Sequence, residues 1–212
     1  MVLSAKYGKE IADGLIQTIQ INKDYLSEID GKIGDGDHGI NMNKGFTMCG
    51  ERLKGQSPSV SEAFAIISQT LMEDIGGSMG PLYGVLFDGM SMASEGKEAI
   101  TAEDFAQMLN AAVEGVMEIG SARVGDKTLL DTLVPAKDAF VDGLAAGHSF
   151  AECLSAMKEA ARAGWKSTEN MVAKIGRASR LGERSRGVLD AGATSCCLLL
   201  TALADSMLPL LT

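Results

Sequence analysis

The sequence lacks the cysteine spacings that mark zinc-binding and disulfide-rich proteins. Its four cysteines form no C-x-x-C pair: Cys49 and Cys153 are isolated, and Cys196 and Cys197 are neighbours in an apolar run. We therefore expect Cys196 and Cys197 to be thiols packed in the core, and the compartment to be reducing, with neither a disulfide nor a zinc site.

Basic residues are also few, because 28 acidic residues face 19 lysines and arginines and the net charge is -9. An acidic chain argues against a nucleic-acid partner, which would favour a basic face. The opening residues 1–6 lack the apolar core of a signal peptide. The most apolar run, residues 196–204, is too short to cross a bilayer. These features predict a cytoplasmic protein without a membrane partner.

No stretch shows the sustained two-residue alternation of a half-buried strand, whereas apolar residues repeat with the period of a helix. One helix is predicted from Glu10 to Glu28, and another begins at Thr101, where Asp104 gives a near match to a capping box. Pro81 suits the first turn of a helix that ends near Met90. A last helix, apolar nearly all round and therefore expected to be buried, is predicted from about residue 194 to 211. The sequence thus predicts one all-α domain, residues 1–212, of about eight helices.

The most informative segment is acidic and rich in glycine. Asp30, Asp35 and Asp37 precede His38 on a backbone that four glycines loosen, at positions 31, 34, 36 and 39. Carboxylates this close repel one another unless a cation lies between them, and Mg²⁺ prefers carboxylate oxygens beside phosphates. The segment predicts a magnesium site next to a phosphate. A solvated acidic turn is the alternative, since Asp and Gly are common turn residues.

Three known motifs are excluded. Residues 34–39 match G-x-G-x-x-G, but a helix rather than a strand is predicted before them, and two aspartates would repel a pyrophosphate. An EF-hand that began at Asp35 would need a glutamate at its twelfth position, which is Phe46. The sequence contains no G-x-x-x-x-G-K-[ST] run, so a P-loop is absent.

Three further segments carry candidate chemistry. Residues 76–84 place glycines at a helix start, where backbone N–H groups favour anions; tight helix packing is the alternative. Residues 125–128 (GDKT) mix an acid, a base and a hydroxyl, as many loops do. Residues 176–187 hold four arginines, which bind phosphates bidentately, although a solvated loop would look similar. Together with the acidic loop, these segments predict a Mg²⁺–nucleotide site for phosphoryl transfer.

The motifs GDGDHGINMNKGF, GGSMGPLYG, VGDKTLLD, GRASRLGERS and DAGATS occur in this order along nearly the whole chain. In this set the sequence resembles the nucleotide-binding L subunits of bacterial dihydroxyacetone kinases. The resemblance implies a barrel of eight antiparallel helices with the nucleotide at one end. It implies that two Mg²⁺ ions bridge ADP or ATP phosphates and are held by Asp30, Asp35 and Asp37. The implied nucleotide contacts are His38, Gly39, Ile40, Asn41, Ser78, Met79, Gly120, Leu129, Arg177, Asp190, Ala191 and Gly192.

The resemblance also implies partners. A K subunit would hold dihydroxyacetone covalently, and an M subunit fed by the phosphoenolpyruvate phosphotransferase system would rephosphorylate ADP in place. A transcription regulator and a second copy of the chain are further candidate partners. The sequence departs from the family at Met79, where serine is usual, and at Ala191, where proline is frequent. An ATP-dependent kinase of a related triose or tetrulose, and a nucleotide-sensing regulatory module, are the alternatives.

Overall fold

The structure, a computed structural model, describes all 212 residues and is helical throughout its core. Nine α-helices follow one another: α1 (Gly8–Ile21), α2 (Lys23–Ile33), α3 (His38–Leu53), α4 (Val60–Asp74), α5 (Met79–Ser94), α6 (Ala102–Ile119), α7 (Leu130–Ala145), α8 (Phe150–Ser167) and α9 (Ala191–Met207). Two-residue strands β1 (Leu3–Ser4) and β2 (Ala99–Ile100) pair antiparallel. Short 3-10 segments lie at Ala5–Tyr7, Thr168–Asn170, Arg177–Ser185 and Leu208–Leu210. The all-α prediction is confirmed.

The helix predicted from Glu10 to Glu28 is wrong in one respect, because the structure divides it into α1 and α2. Asn22 leaves the helical conformation between them, and both its backbone N–H and its side-chain amide donate to the carbonyl of Thr18. Asn competes for backbone hydrogen bonds in this way more readily than most residues. This break raises the number of helices from the expected eight to nine.

Several helices begin at N-terminal capping residues that can be recognised in the sequence. Thr101 and Asp104 form the predicted capping box at α6, and Ser59 and Ser149 form two more at α4 and α8. Pro81 lies in the first turn of α5 as predicted. In a capping box two backbone donors are satisfied within four residues, so these starts depend on local chemistry alone.

Helices that are neighbours in sequence also pack together from α3 to α9, and α9 returns to pack on α1. One hydrophobic cluster of 49 buried residues fills the interior. All four cysteines are buried within it, which confirms the prediction of core thiols at Cys196 and Cys197. The segment Ala191–Leu210 is long and apolar enough to cross a membrane, but 61% of its most apolar window is buried. The core helix of a soluble protein passes the same test, so this segment is weak support for a membrane span.

Candidate functional site

The acidic loop joins the end of α2 to the start of α3. Asp30 lies in the last turn of α2, and Gly36 turns the chain with φ +79°, a conformation that favours glycine. Asp37 occupies the N-cap position of α3, yet its carboxylate makes no capping hydrogen bond. The Asp30 carboxylate accepts from the backbone N–H of His38 at 3.3 Å. The loop therefore leaves the Asp37 carboxylate free for a ligand.

The loop offers the carboxylate oxygens that a hard cation requires, but the carboxylate of Asp35 is already paired with a positive group. Asp35 forms an ion pair with Arg177, and both side chains are exposed. In this conformation no three side chains that could bind a metal converge on one point. The donor chemistry fits Mg²⁺, which commonly completes its coordination with substrate phosphates and water rather than with a full protein cage.

His38 links the acidic loop to the first turn of α9. Its Nε2 lies 2.8 Å from Ser195 Oγ, and Tyr83 Oη lies 2.6 Å from the same hydroxyl. The Tyr83 hydroxyl also donates to the carbonyl of Gly192 at 3.1 Å. Burial lowers the pKa of His38 to about 4, so its imidazole is neutral at pH 7. This chain of hydrogen bonds joins the starts of α3, α5 and α9.

Asp190 begins α9 in the way that an N-cap residue does. Its carboxylate accepts from the backbone N–H of Ala193 at 2.7 Å. Burial raises the pKa of Asp190 to about 6, against the opposing effects of that hydrogen bond and of the Lys127 charge. A Cβ added to Gly192 would lie 3.6 Å from the backbone nitrogen of Leu129, so α7 begins beside α9.

The start of α5 holds Ser78 and Met79. Ser78 is the N-cap residue, is exposed, and makes no side-chain capping bond. The side chain of Met79 is buried in the hydrophobic core, so only its backbone can face a ligand. Gly76 and Gly77 border open space, whereas a Cβ on Gly80 would lie 2.1 Å from the carbonyl oxygen of Ile75. Gly80 therefore serves helix packing, and the two earlier glycines leave the approach to α5 open.

The remaining predicted contacts lie around these helix starts. Gly120 ends α6, and a Cβ placed there would lie 3.7 Å from the Leu82 side chain of α5. Ile40 is 53% exposed in the first turn of α3, where Asn41 donates its backbone N–H to the Asp37 carbonyl. A Cβ on Gly39 would collide with the Lys23 carbonyl oxygen at 2.0 Å. Gly39 is thus required for the packing of α3 on α2, whatever it contributes to a ligand.

The GDKT loop before α7 is organised by Asp131. Its two carboxylate oxygens accept the backbone N–H groups of Gly125 at 2.5 Å and of Thr128 at 2.8 Å. Lys127 points inward and is buried, and burial lowers its pKa. Sequence reasoning treated this loop as one candidate among several and missed the inward lysine. It also missed Tyr83 and Ser195. The only signal in the sequence was a hydroxyl-bearing residue among the apolar residues near a helix start.

The structure brings the predicted residues to one end of the helix array. The starts of α3, α5 and α7 adjoin the first turn of α9, and Arg177 reaches the acidic loop from the 3-10 segment Arg177–Ser185. Each helix start carries unpaired backbone N–H groups and about half a positive charge. Such an arrangement attracts a polyanion such as a phosphate chain, while the carboxylates beside it attract a cation.

Comparison with known proteins identifies the family to which the chain belongs. Residues 32–205 match the DAK2 domain. The chain is 36% identical over 182 residues to the PEP-dependent dihydroxyacetone kinase, ADP-binding subunit DhaL, of Escherichia coli, covering 85% of this chain and 87% of that one. It is 39% identical over 190 residues to the PTS-dependent dihydroxyacetone kinase, ADP-binding subunit DhaL, of Lactococcus lactis, covering 89% and 91%.

A solved structure shares the fold. The native form of the dihydroxyacetone kinase of C. freundii superposes with a TM-score of 0.72 at 25% identity, covering 92% of this chain. The present chain spans about a third of that kinase, because the match covers 33% of its length. The sequence matches, their coverage and the shared fold agree, and the chain belongs to the DAK2 family, as a kinase subunit of the DhaL type.

Proposed function

We propose that this chain binds ADP through Mg²⁺ and, once that ADP has been phosphorylated in place to ATP, passes the γ-phosphoryl group to dihydroxyacetone held by a separate K subunit, which leaves ADP bound. The meeting of four helix starts beside the acidic loop carries this proposal, because it joins anion-binding amides to cation-binding carboxylates. The DhaL relatives, whose printed names include ADP binding and dihydroxyacetone kinase, match over nearly their whole length and support it.

Each group at the site has a role in this proposal. Asp30, Asp35 and Asp37 would hold two Mg²⁺ ions, whose positive charge would neutralise that of the phosphates. The backbone N–H groups at the helix starts hold the phosphate chain, and Arg177 clamps it. The protein positions and neutralises the transferring group without forming a covalent bond to it. The nucleotide contacts proposed by resemblance remain those given from the sequence, with Met79 acting through its backbone.

The wider assembly is part of the proposal. Residues 1–212 form one domain with the helical barrel of the family, and this domain is located in the cytoplasm. The K subunit binds at the end of the domain that carries the site. An M subunit restores the nucleotide by phosphorylating ADP without releasing it, so ADP acts as a cofactor. The packing of each helix on its sequence neighbour, with α9 back on α1, supports the barrel. A transcription regulator and a homodimer stay predictions.

Reconstitution with a K subunit tests the proposal. Bound radiolabelled ADP should exchange with free ADP more slowly than the enzyme turns over when phosphoenolpyruvate and the phosphotransferase proteins are supplied. A subunit that keeps its nucleotide needs slow dissociation, which the metal ions, amides and Arg177 together provide. Exchange faster than turnover, with efficient use of free ATP, would instead indicate an ATP-dependent kinase. Nucleotide binding without any transfer would indicate a regulatory module.

A further inference from the structure

Lys127 has a backbone conformation that no other non-glycine residue in the chain adopts. Its φ is +63°, whereas every other positive φ belongs to a glycine. A residue with a Cβ in this region costs about 1–3 kcal/mol and persists where its surroundings hold it firmly. The side chain is 1% exposed, which is rare for lysine. Both features indicate that Lys127 has a specific task inside the protein.

The ammonium group of Lys127 donates to three backbone carbonyls. The acceptors are Met171 at 3.1 Å, Ser185 at 2.5 Å and Val188 at 2.6 Å. An ammonium has three protons, so these bonds use its full donor capacity. Lys127 consequently has no donor left for a phosphate, and it cannot play the part of a P-loop lysine.

The three acceptors bracket the arginine-rich segment, residues 171–188. Met171 precedes its 3-10 turns, Ser185 ends them, and Val188 follows them. Within the bracket, the Ser185 hydroxyl accepts from the Ala173 backbone N–H at 2.9 Å and donates to the Gly182 carbonyl at 2.7 Å. Both ends of the arginine-rich segment are therefore drawn to one point beneath it.

Arg177 lies between the two anchored ends of the segment. Its side chain is 67% exposed and reaches across to Asp35 of the acidic loop. A long flexible side chain on an unanchored loop would lose much conformational entropy on clamping a ligand. An anchored loop has already lost that backbone freedom in the free protein, so the clamp costs less when the ligand binds.

We propose that Lys127 is a positioning residue for the Arg177 clamp: it ties the two ends of the arginine-rich segment together and thereby holds Arg177 beside the acidic loop. This inference rests on the proposed function, in which Arg177 binds the phosphates of a nucleoside diphosphate. It extends that function by assigning a role to a residue that touches neither nucleotide nor metal.

A double-mutant cycle on Mg²⁺–ADP affinity, measured by calorimetry on the full chain, tests the coupling. Lys127→Met keeps the length of the side chain and removes its donors. Alone, it should weaken ADP binding about tenfold; in an Arg177→Ala background it should change affinity less than twofold, because the clamp it positions is gone. Residues that act as one unit are non-additive in this way. Equal effects in both backgrounds would mean that Lys127 only stabilises the fold and would overturn the proposal.

Amide hydrogen exchange gives a second readout that does not depend on ADP. Lys127→Met should speed exchange within residues 171–188 and leave the centres of α1 and α4 unchanged. Unchanged exchange in the arginine-rich segment would overturn the proposal. If Lys127→Met does not fold, Ser185→Ala replaces it with the same expectations, because it removes the hydroxyl that joins Ala173 to Gly182 within the same segment.

Lys174→Met is the matched control. Lys174 lies on the same segment, but its side chain is 62% exposed and pairs with Asp126 at 3.2 Å. Its removal should change ADP affinity less than twofold, and a loss equal to that of Lys127→Met would overturn the assignment. If Arg177→Ala by itself leaves ADP affinity intact, the clamp in the proposed function fails. If Arg177→Ala weakens binding and Lys127→Met does not, the present inference alone fails.

Discussion

His38 and Ser195 are 157 residues apart in the chain, yet His38 Nε2 lies 2.8 Å from Ser195 Oγ. Ser195 is fully buried and also contacts the Tyr83 hydroxyl. One hydroxyl therefore connects the start of α3, which carries the acidic loop, with α5 and α9. The relative positions of these three helix starts depend on a serine in an apolar helix.

Ser195→Ala should weaken Mg²⁺–ADP binding while the fold is kept. Losing this hydroxyl removes the partner of His38 Nε2, at a cost of about 1–3 kcal/mol for a buried polar group left unpaired, whereas Tyr83 keeps its bond to the Gly192 carbonyl. We expect an affinity loss of about tenfold, or ~1.4 kcal/mol, by calorimetry. Ser94→Ala is the control, because Ser94 is equally buried but bonds only to carbonyls of its own helix. A similar affinity loss in both variants would contradict the role of Ser195.

Asp37→Asn should lower phosphoryl transfer with a K subunit by at least ~100-fold, since a lost charge-stabilising interaction at a reacting centre is worth about 3–4 kcal/mol. The free energy of unfolding should hardly change, because the Asp37 carboxylate caps no helix. Turnover in the coupled assay and urea unfolding measure the two effects. Asp88→Asn, exposed on α5, is the control. Near-normal turnover of the Asp37 variant would show that this carboxylate is not a metal ligand.

Mg²⁺ and ADP should stabilise the protein only together. At ~100 times its dissociation constant, a ligand adds about 2.7 kcal/mol to the free energy of unfolding. For a chain of this size that shift raises Tm by roughly 5–10 °C. Thermal unfolding with ADP plus Mg²⁺, and with ADP plus excess chelator, measures the effect. Equal shifts under both conditions would contradict a metal that bridges the carboxylates and the phosphates.

Arg177→Lys should weaken ADP binding by about tenfold, or ~1.4 kcal/mol. Lysine keeps the charge but loses the planar fork that binds two phosphate oxygens at once. Arg180→Lys makes the same change on an exposed residue of the same segment and should have little effect. Calorimetric titration measures the ADP affinity of both variants. A larger loss of affinity in Arg180→Lys than in Arg177→Lys would place the clamp on Arg180.

The free energy of unfolding should depend on pH through the titration of Asp190. Its pKa lies near 6 in the folded protein, above the ordinary value of 3.8, so the folded state holds the proton more tightly. Its contribution to stability is therefore full below pH 4 and is lost as pH rises through 6. The loss is at most about 3 kcal/mol, at 1.36 kcal/mol for each pKa unit.

Asp190→Asn is the comparison for this titration, because Asn caps a helix as well as Asp does. Asp30, Lys127 and Asp131 also act on the Asp190 carboxylate, and they are present in both proteins. The difference in the free energy of unfolding between wild type and variant should favour the wild type more at pH 4 than at pH 7. A constant difference across this range, measured by urea unfolding, would refute the raised pKa.

Much of the fold was predictable because its determinants are local. The capping box of Thr101 and Asp104, the placing of Pro81 and the helical period act within a few residues, so sequence alone identified those helix starts. The break at Asn22 escaped prediction, although its cause is also local, because apolar periodicity continues across it. The acidic loop was equally evident, since its three carboxylates lie within eight residues.

The arrangement of the site was decided only by the tertiary structure. No local pattern reveals that Ser195 meets His38, or that Lys127 turns inward to three carbonyls instead of outward to a ligand. Met79 shows the same limit, because packing of α5 places its side chain in the core. Such contacts form when distant helices close on one another. The sequence by itself therefore determined which chemical groups the protein has, and helix packing decided which of them face a ligand and which hold the others in position.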